Sequence, residues 1–125
     1  MAVDPDASGR TSRVFAPADG APRDRWIEVA AGHVLADKPR WSADGRILYF
    51  VSTHPTPFFN LWGVRFDPEA GQILGQPFVV SHFDSPDRMI SPHADRTELG
   101  IASRRAVIPI RTVTGNVWML DNADK

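Results

Sequence analysis

The chain contains no cysteine. Disulfide bonds, thiolate nucleophiles and thiolate metal sites are therefore excluded. Neither sign of charge dominates: 14 lysines and arginines stand against 15 aspartates and glutamates, a formal net charge of −1. A surface built for nucleic acid normally carries a basic excess, so that class of partner is not expected. No apolar run approaches the roughly 20 residues that a membrane-spanning helix needs. Residues 1–10 hold two early aspartates and no apolar segment, so they do not read as a secretory signal. The chain as given is therefore expected to be cytoplasmic, with a periplasmic parent left open, because a cysteine-free chain suits both compartments. A Gly-rich phosphate loop and a Gly-x-Ser-x-Gly nucleophile elbow are both missing.

What is present is turn chemistry. Eleven prolines and nine glycines punctuate 125 residues. Such density suits short strands joined by turns better than long helices. A hydrophobic share of 42% and a charged share of 23% are ordinary for a folded domain. The expected fold class is all-β, antiparallel, with almost no helix.

Along the chain, residues 1–24 are rich in Ala, Asp, Pro, Gly and Arg and read as a flexible leader, with Arg13-Val14-Phe15 as a short edge strand. Trp26-Ile27-Glu28-Val29 is a short strand. Asp37 to Trp41 is extended, since Pro39 keeps Lys38 out of the helical region. Asp44-Gly45 is a strong hairpin signal, with Gly45 expected at positive φ. After it, Ile47-Leu48-Tyr49-Phe50-Val51 is apolar on both alternating faces, so this strand must lie inside, covered above and below. Asn60 to Phe66 is the next strand, with Trp62, Val64 and Phe66 on one face. Asp67-Pro68-Glu69-Ala70-Gly71 is a turn. A strand over 76–83, with Pro77 at its start, follows. Residues 84–97 read as a loop. Leu99 to Ala102, a turn at Ser103-Arg104-Arg105, an inner strand over 107–110 and a last strand over 116–121 complete the chain.

Two segments share this grammar. Trp41-Ser42-Ala43-Asp44-Gly45-Arg46, its apolar strand and Asn60-Leu61-Trp62 form the first. Ile101-Ala102-Ser103-Arg104-Arg105-Ala106, Val107-Ile108 and Asn116-Val117-Trp118 form a weaker second. A repeat of roughly 40–50 residues per four-stranded unit, stretched by loops, is the mark of propeller blades. The run Pro39-Arg40-Trp41-Ser42-Ala43-Asp44-Gly45-Arg46-Ile47-Leu48-Tyr49-Phe50 closely resembles the TolB-like β-propeller repeat, usually P-x-W-S-P-D-G-x-x-I-x-F. It departs at Ala43, where that family favours proline. Asn60-Leu61-Trp62 resembles the family's later strand, and Thr114-Gly115-Asn116-Val117-Trp118-Met119 its closing segment in bacterial multi-blade proteins. The resemblance covers residues 25–121 and leaves 122–125 as a tail. It implies about two antiparallel four-stranded blades, with 10–29 as outer strands of a preceding blade and Trp41 and Tyr49 filling gaps between blades. Such a chain would be an incomplete propeller: the C-terminal part of a larger one, a gene fragment, or a unit that assembles.

The residues that could carry chemistry are few. His82-x-Asp84 and His93-x-Asp95 offer two imidazoles and two carboxylates, the types used in metal and acid–base sites, but they read as solvated loop residues. Ser81, His82 and Asp84 supply the types of a hydrolase triad as sequence neighbours, whereas triads are assembled from distant positions. Arg104, Arg105, Arg96 and Arg111 form a mild basic cluster, read mainly as a solvated turn and otherwise as an anion or partner contact. Trp26, Trp41, Tyr49, Phe50, Trp62 and Trp118 read as core before ligand platform.

The expectation is therefore a non-enzymatic protein-interaction or scaffold module, with no catalytic, cofactor-binding or metal residues. A protein partner or self-association through blade faces and edges is expected, with no nucleic acid and no membrane insertion. The alternatives are an accessory propeller of a prolyl-oligopeptidase-like serine peptidase, and a small ligand-binding β module that uses tryptophans.

Overall fold

A computed structural model describes residues 2–5, 11–15, 22–30, 32–33, 35–93 and 97–117; for 2–5 and 11–15 only the backbone is described. Alternation and turn chemistry lead here to strands and nothing else of length. The described residues hold eleven strands, one 3-10 turn at Arg23–Arg25 and no α-helix. The chain is all-β and every strand pairing is antiparallel. No closed propeller is seen among the described residues.

The centre is a four-stranded meander of β4 (Asp37–Trp41), β5 (Ile47–Ser52), β6 (Asn60–Asp67) and β7 (Gln72–Val79), in that order. Its first hairpin forms where Asp44-Gly45 places it. Gly45 N–H donates to Ser42 O at 3.0 Å, and Ser42 N–H to Ile47 O at 2.8 Å. The loop spans 43–46, longer than a two-residue turn, and side chains wire it shut. Ser42 Oγ donates to Asp44 Oδ1 at 2.6 Å and accepts the Ile47 N–H at 2.9 Å, while Arg46 N–H donates to Asp44 Oδ1 at 3.1 Å. The Ser42 hydroxyl first, then the Arg46 amide, hold the Asp44 carboxyl below the usual carboxylate range. Gly45 takes φ +68°, as expected, a region that L side chains adopt only with strain.

β5 is dry on both faces, as its composition demands. Leu48 and Phe50 pack with Val64, Trp62 and Ile73 on one face, under Val29, Ala30 and Ala36. Val51 packs with Leu61 and Phe59 on the other, under Ile90 and Leu99, with Tyr49, Phe83, Ile101 and Ile108 at the margin. The register explains the split, since Leu48 faces Val64 and Phe50 faces Trp62 across one side, and Val51 faces Leu61 across the other. The segments before and after the meander thus cover opposite faces of it.

Those segments form three smaller sheets. β1 (Ala2–Pro5), β2 (Thr11–Phe15) and β3 (Ile27–Glu28) pair in the order β1-β2-β3. β9 (Gly100–Ala102) pairs with β10 (Arg105–Val107), and β8 (Met89–Ile90) with β11 (Ile110–Arg111).

Several expectations need correction. The strand read over 76–83 lies instead at Gln72–Val79: it begins four residues earlier, directly after its turn, because Gly75 at φ +77° lets the chain bulge opposite Val64 and run on through Pro77, and it ends before Val80. Pro77 thus lies inside an edge strand, where its missing N–H is tolerated. The 84–97 loop contains the buried strand β8, held by β11. The inner strand read over 107–110 is broken at 108–109, and Arg105 belongs to β10, so the turn is Ser103-Arg104 alone. The late strands therefore sit in two sheets. Asn116 and Val117 are in no strand, and 118–121 lie outside the described residues. The leader carries one more strand than expected, β1, beside the strand that includes Arg13-Val14-Phe15.

Candidate functional site

The end of β5 and the loop after it gather aromatic rings around a buried imidazole. Ser52 closes β5 fully buried and faces Asn60 of β6 across the ladder. His33 arrives from the segment before β4 and is 6% exposed. Its Nδ1 and the Ser52 Oγ share a hydrogen bond of 3.1 Å, and Ser52 Oγ also accepts the His54 N–H at 3.3 Å. The His33 ring meets Phe50 and Trp62 edge to face at 5.3 and 4.5 Å and tilts against His54 at 4.8 Å. Burial first, then the His54 imidazole, lower its pKa to about 4. His33 is therefore neutral at neutral pH, as an imidazole in an aromatic pocket should be. The Trp62 Nε1–H is buried without a hydrogen-bond partner.

Beside this cluster lies a cleft of about 400 Å³ whose lining includes His54, Trp62, Val79, His82, Phe83 and Asp84. Asn60 shapes it. Its Oδ1 accepts the Phe83 N–H at 2.6 Å and the Ser81 hydroxyl at 3.1 Å, and its Nδ2 donates to Phe83 O at 3.0 Å and Phe58 O at 3.3 Å. Ser81 Oγ in turn accepts the Leu61 N–H at 2.8 Å. One buried amide thus fastens the chain after β7 back onto β6.

No family model, curated protein or solved structure matches the chain. What the site can do is accordingly argued from its own residues.

His82 and Asp84 line the cleft together, while His93 does not, and Asp95 lies outside the described residues. Among the described residues no group of three His, Asp or Glu side chains could hold a metal ion. Ser81 is committed to Asn60 and Leu61, so the Ser81, His82 and Asp84 set has no free nucleophile. The Ser52–His33 pair has the atoms of a dyad, but Ser52 is 0% exposed and out of reach of a substrate. Of the aromatic set, Phe50 is core, Trp26, Tyr49 and Trp62 are half-buried, and Trp41 is 41% exposed, its ring against Phe66 at 5.1 Å. Trp118 lies outside the described residues.

A second groove, of about 280 Å³, opens between the meander and the β9–β10 hairpin, and Arg104 and Arg105 line it. Arg111 is exposed on β11, and Arg96 lies outside the described residues. His33, Ser52, His54 and Asn60 were not visible as a cluster in the sequence. No local motif joins them; the pairing of Ser52 with Asn60 places them together.

Proposed function

We propose that the chain is a non-catalytic fragment of a TolB-like β-propeller that acts as a protein-interaction or scaffold module. The observation that carries this reading is the meander β4–β7, whose inner strand β5 is buried on both faces, each covered by a different, smaller β segment. Layered antiparallel sheets of this kind are how blades stack. On this reading β4–β7 is one blade, residues 10–29 belong to the preceding blade, and β8–β11 are the start of a following one. The following unit leaves apolar side chains outside: Val107 is 70% exposed, Val113 45% and Ile110 42%. Exposed large apolar side chains on one short stretch of chain favour a protein partner, a second copy included.

Hydrogen exchange read against protein concentration tests this. Amides of β5 and β6 should be protected at every concentration, and those of 105–113 should gain protection as concentration rises. Exchange over 105–113 that ignores concentration, with no binding partner added, would count against self-association through this surface.

The cleft beside Trp62 favours a second reading, a small ligand-binding β module. Its volume falls in the range of small-molecule sites. Saturable quenching of tryptophan fluorescence by simple sugars, lost in Trp62→Phe, would support it; a flat titration would remove it.

A further inference from the structure

The charges on the two sides of the β4–β9 region are treated differently. Arg40 has its counter-charge in Glu98, at 3.2 Å, and Lys38 reaches the same carboxylate at 4.0 Å. Arg104 and Arg105, exposed on the β9–β10 hairpin, have no ion-pair partner among the described residues. Both line the groove, whose meander wall comes from Tyr49, Leu61 and Val80 and whose hairpin wall includes Ile101 and Ser103. Two arginines, neighbours in sequence, on a groove with Tyr49, Leu61 and Val80 in its other wall are complementary to carboxylates that alternate with aliphatic side chains.

The edges point the same way. Both outer strands of the meander carry the devices that stop strand addition: β4 has Pro39 beside Lys38 at φ +53°, and β7 has Pro77 beside Gly75 at φ +77°. β10 has no proline and no bulge, and among the described residues it pairs only with β9. Its three residues, Arg105, Ala106 and Val107, are all exposed. Among the described residues the chain does not return beside it; β11 pairs with β8 instead, and Val113 N–H donates to Pro86 O at 3.0 Å.

We propose that the groove beside β10 binds an extended acidic peptide segment of a partner protein, laid along β10 as an added strand. The main chain of β10 supplies affinity, the apolar wall takes the aliphatic side chains, and Arg104 and Arg105 take the carboxylates. This rests on the interaction-module reading and names the chemistry of the partner.

The test uses the whole chain and a fluorescein-labelled twelve-residue peptide of alternating glutamate and valine, with a lysine–valine peptide and an oligothymidylate as controls. Fluorescence anisotropy should show saturable binding of the acidic peptide alone. Arg104→Glu with Arg105→Glu should weaken it by about tenfold or more, since the charge pairing is reversed. Ala106→Pro, which removes a main-chain donor from the edge, should weaken it without changing net charge. All three positions are exposed, and unchanged circular dichroism would show that the variants fold. Equal affinity for both peptides, or no loss in the double arginine variant, overturns the proposal. Tighter binding of oligothymidylate than of the acidic peptide also overturns it, as a plain anion surface. Concentration-dependent exchange over 105–113 reports the underlying reading separately. A failed peptide titration with that exchange intact discards the groove alone.

Discussion

Acid should unfold this protein earlier than its carboxylates require, and His33 is the reason. The imidazole is 6% exposed, ringed by Phe50, Trp62 and His54, and titrates at about 4 in the folded chain. In the unfolded chain it titrates near the ordinary value of about 6.5. The unfolded state therefore takes up a proton first as pH falls, and protonation draws the equilibrium toward it. Stability is full above about pH 6.5 and declines between there and about 4. The His54 imidazole, its ring 4.8 Å from that of His33, adds to the lowering. The limiting cost is roughly 3 kcal/mol, at about 1.4 kcal/mol for each tenfold change in proton affinity. Between about pH 7.5 and 4.5 the expected loss is about 2.5 kcal/mol. With a urea slope of about 1–2 kcal/mol per molar for a chain of this size, the midpoint should fall by more than about 1 M. Urea melts followed by tryptophan fluorescence at fixed protein concentration measure it. His33→Gln removes the titrating group, so its midpoint, whatever its absolute value, should change much less over the same interval. A wild-type midpoint that does not move, or a His33→Gln variant that loses as much as the wild type, would refute the reasoning.

Three further outcomes follow from the central sheet. Gly45→Ala should cost about 1–2 kcal/mol from backbone strain alone, because a Cβ there meets nothing within 4 Å; thermal melts that coincide with wild type would remove the turn assignment. Gly63→Ala should cost about 1–3 kcal/mol, since its Cβ would lie 2.6 Å from the Phe78 ring. Combining it with Phe78→Leu should cost less than the two single changes together, and strict additivity would mean the contact is not the cause. Phe50→Ala should cost about 3–5 kcal/mol by opening a cavity under Val29 and Ala36; a loss below about 1 kcal/mol would show that the site collapses freely.

The first hairpin was legible because its information is local. Ser42, Asp44 and Gly45 wire one loop, and the five apolar residues after it state their own burial. The two faces of β5 followed from period alone. What stayed hidden depends on distant partners. β8 is two residues in a polar stretch, and Ile90 is buried only because β11 and the Val51 face meet it. The start of β7 was misplaced because Pro77 reads as a beginning, whereas Gly75 allows a bulge that no alternation rule anticipates. The His33 cluster had no sequence signal: one histidine in an alanine-rich stretch gives no notice of Phe50 and Trp62 beside it. The orphan arginines were visible as a cluster, but their groove needed β9 and β10 to be set against Tyr49 and Leu61.

The proposed role is to meet another protein surface, a second copy included. Sedimentation velocity of the chain alone, from low to high micromolar concentration, tests it most directly. Burial contributes roughly 25 cal/mol per Å² of apolar surface, so the exposed Val107, Ile110 and Val113 surface should drive association. Species heavier than 13.8 kDa are expected, their share growing with concentration and shrinking in Val107→Asp with Val113→Asp. A single, cooperatively folding 13.8 kDa monomer throughout that range would contradict it, and the strands would then be a small sandwich closed on itself.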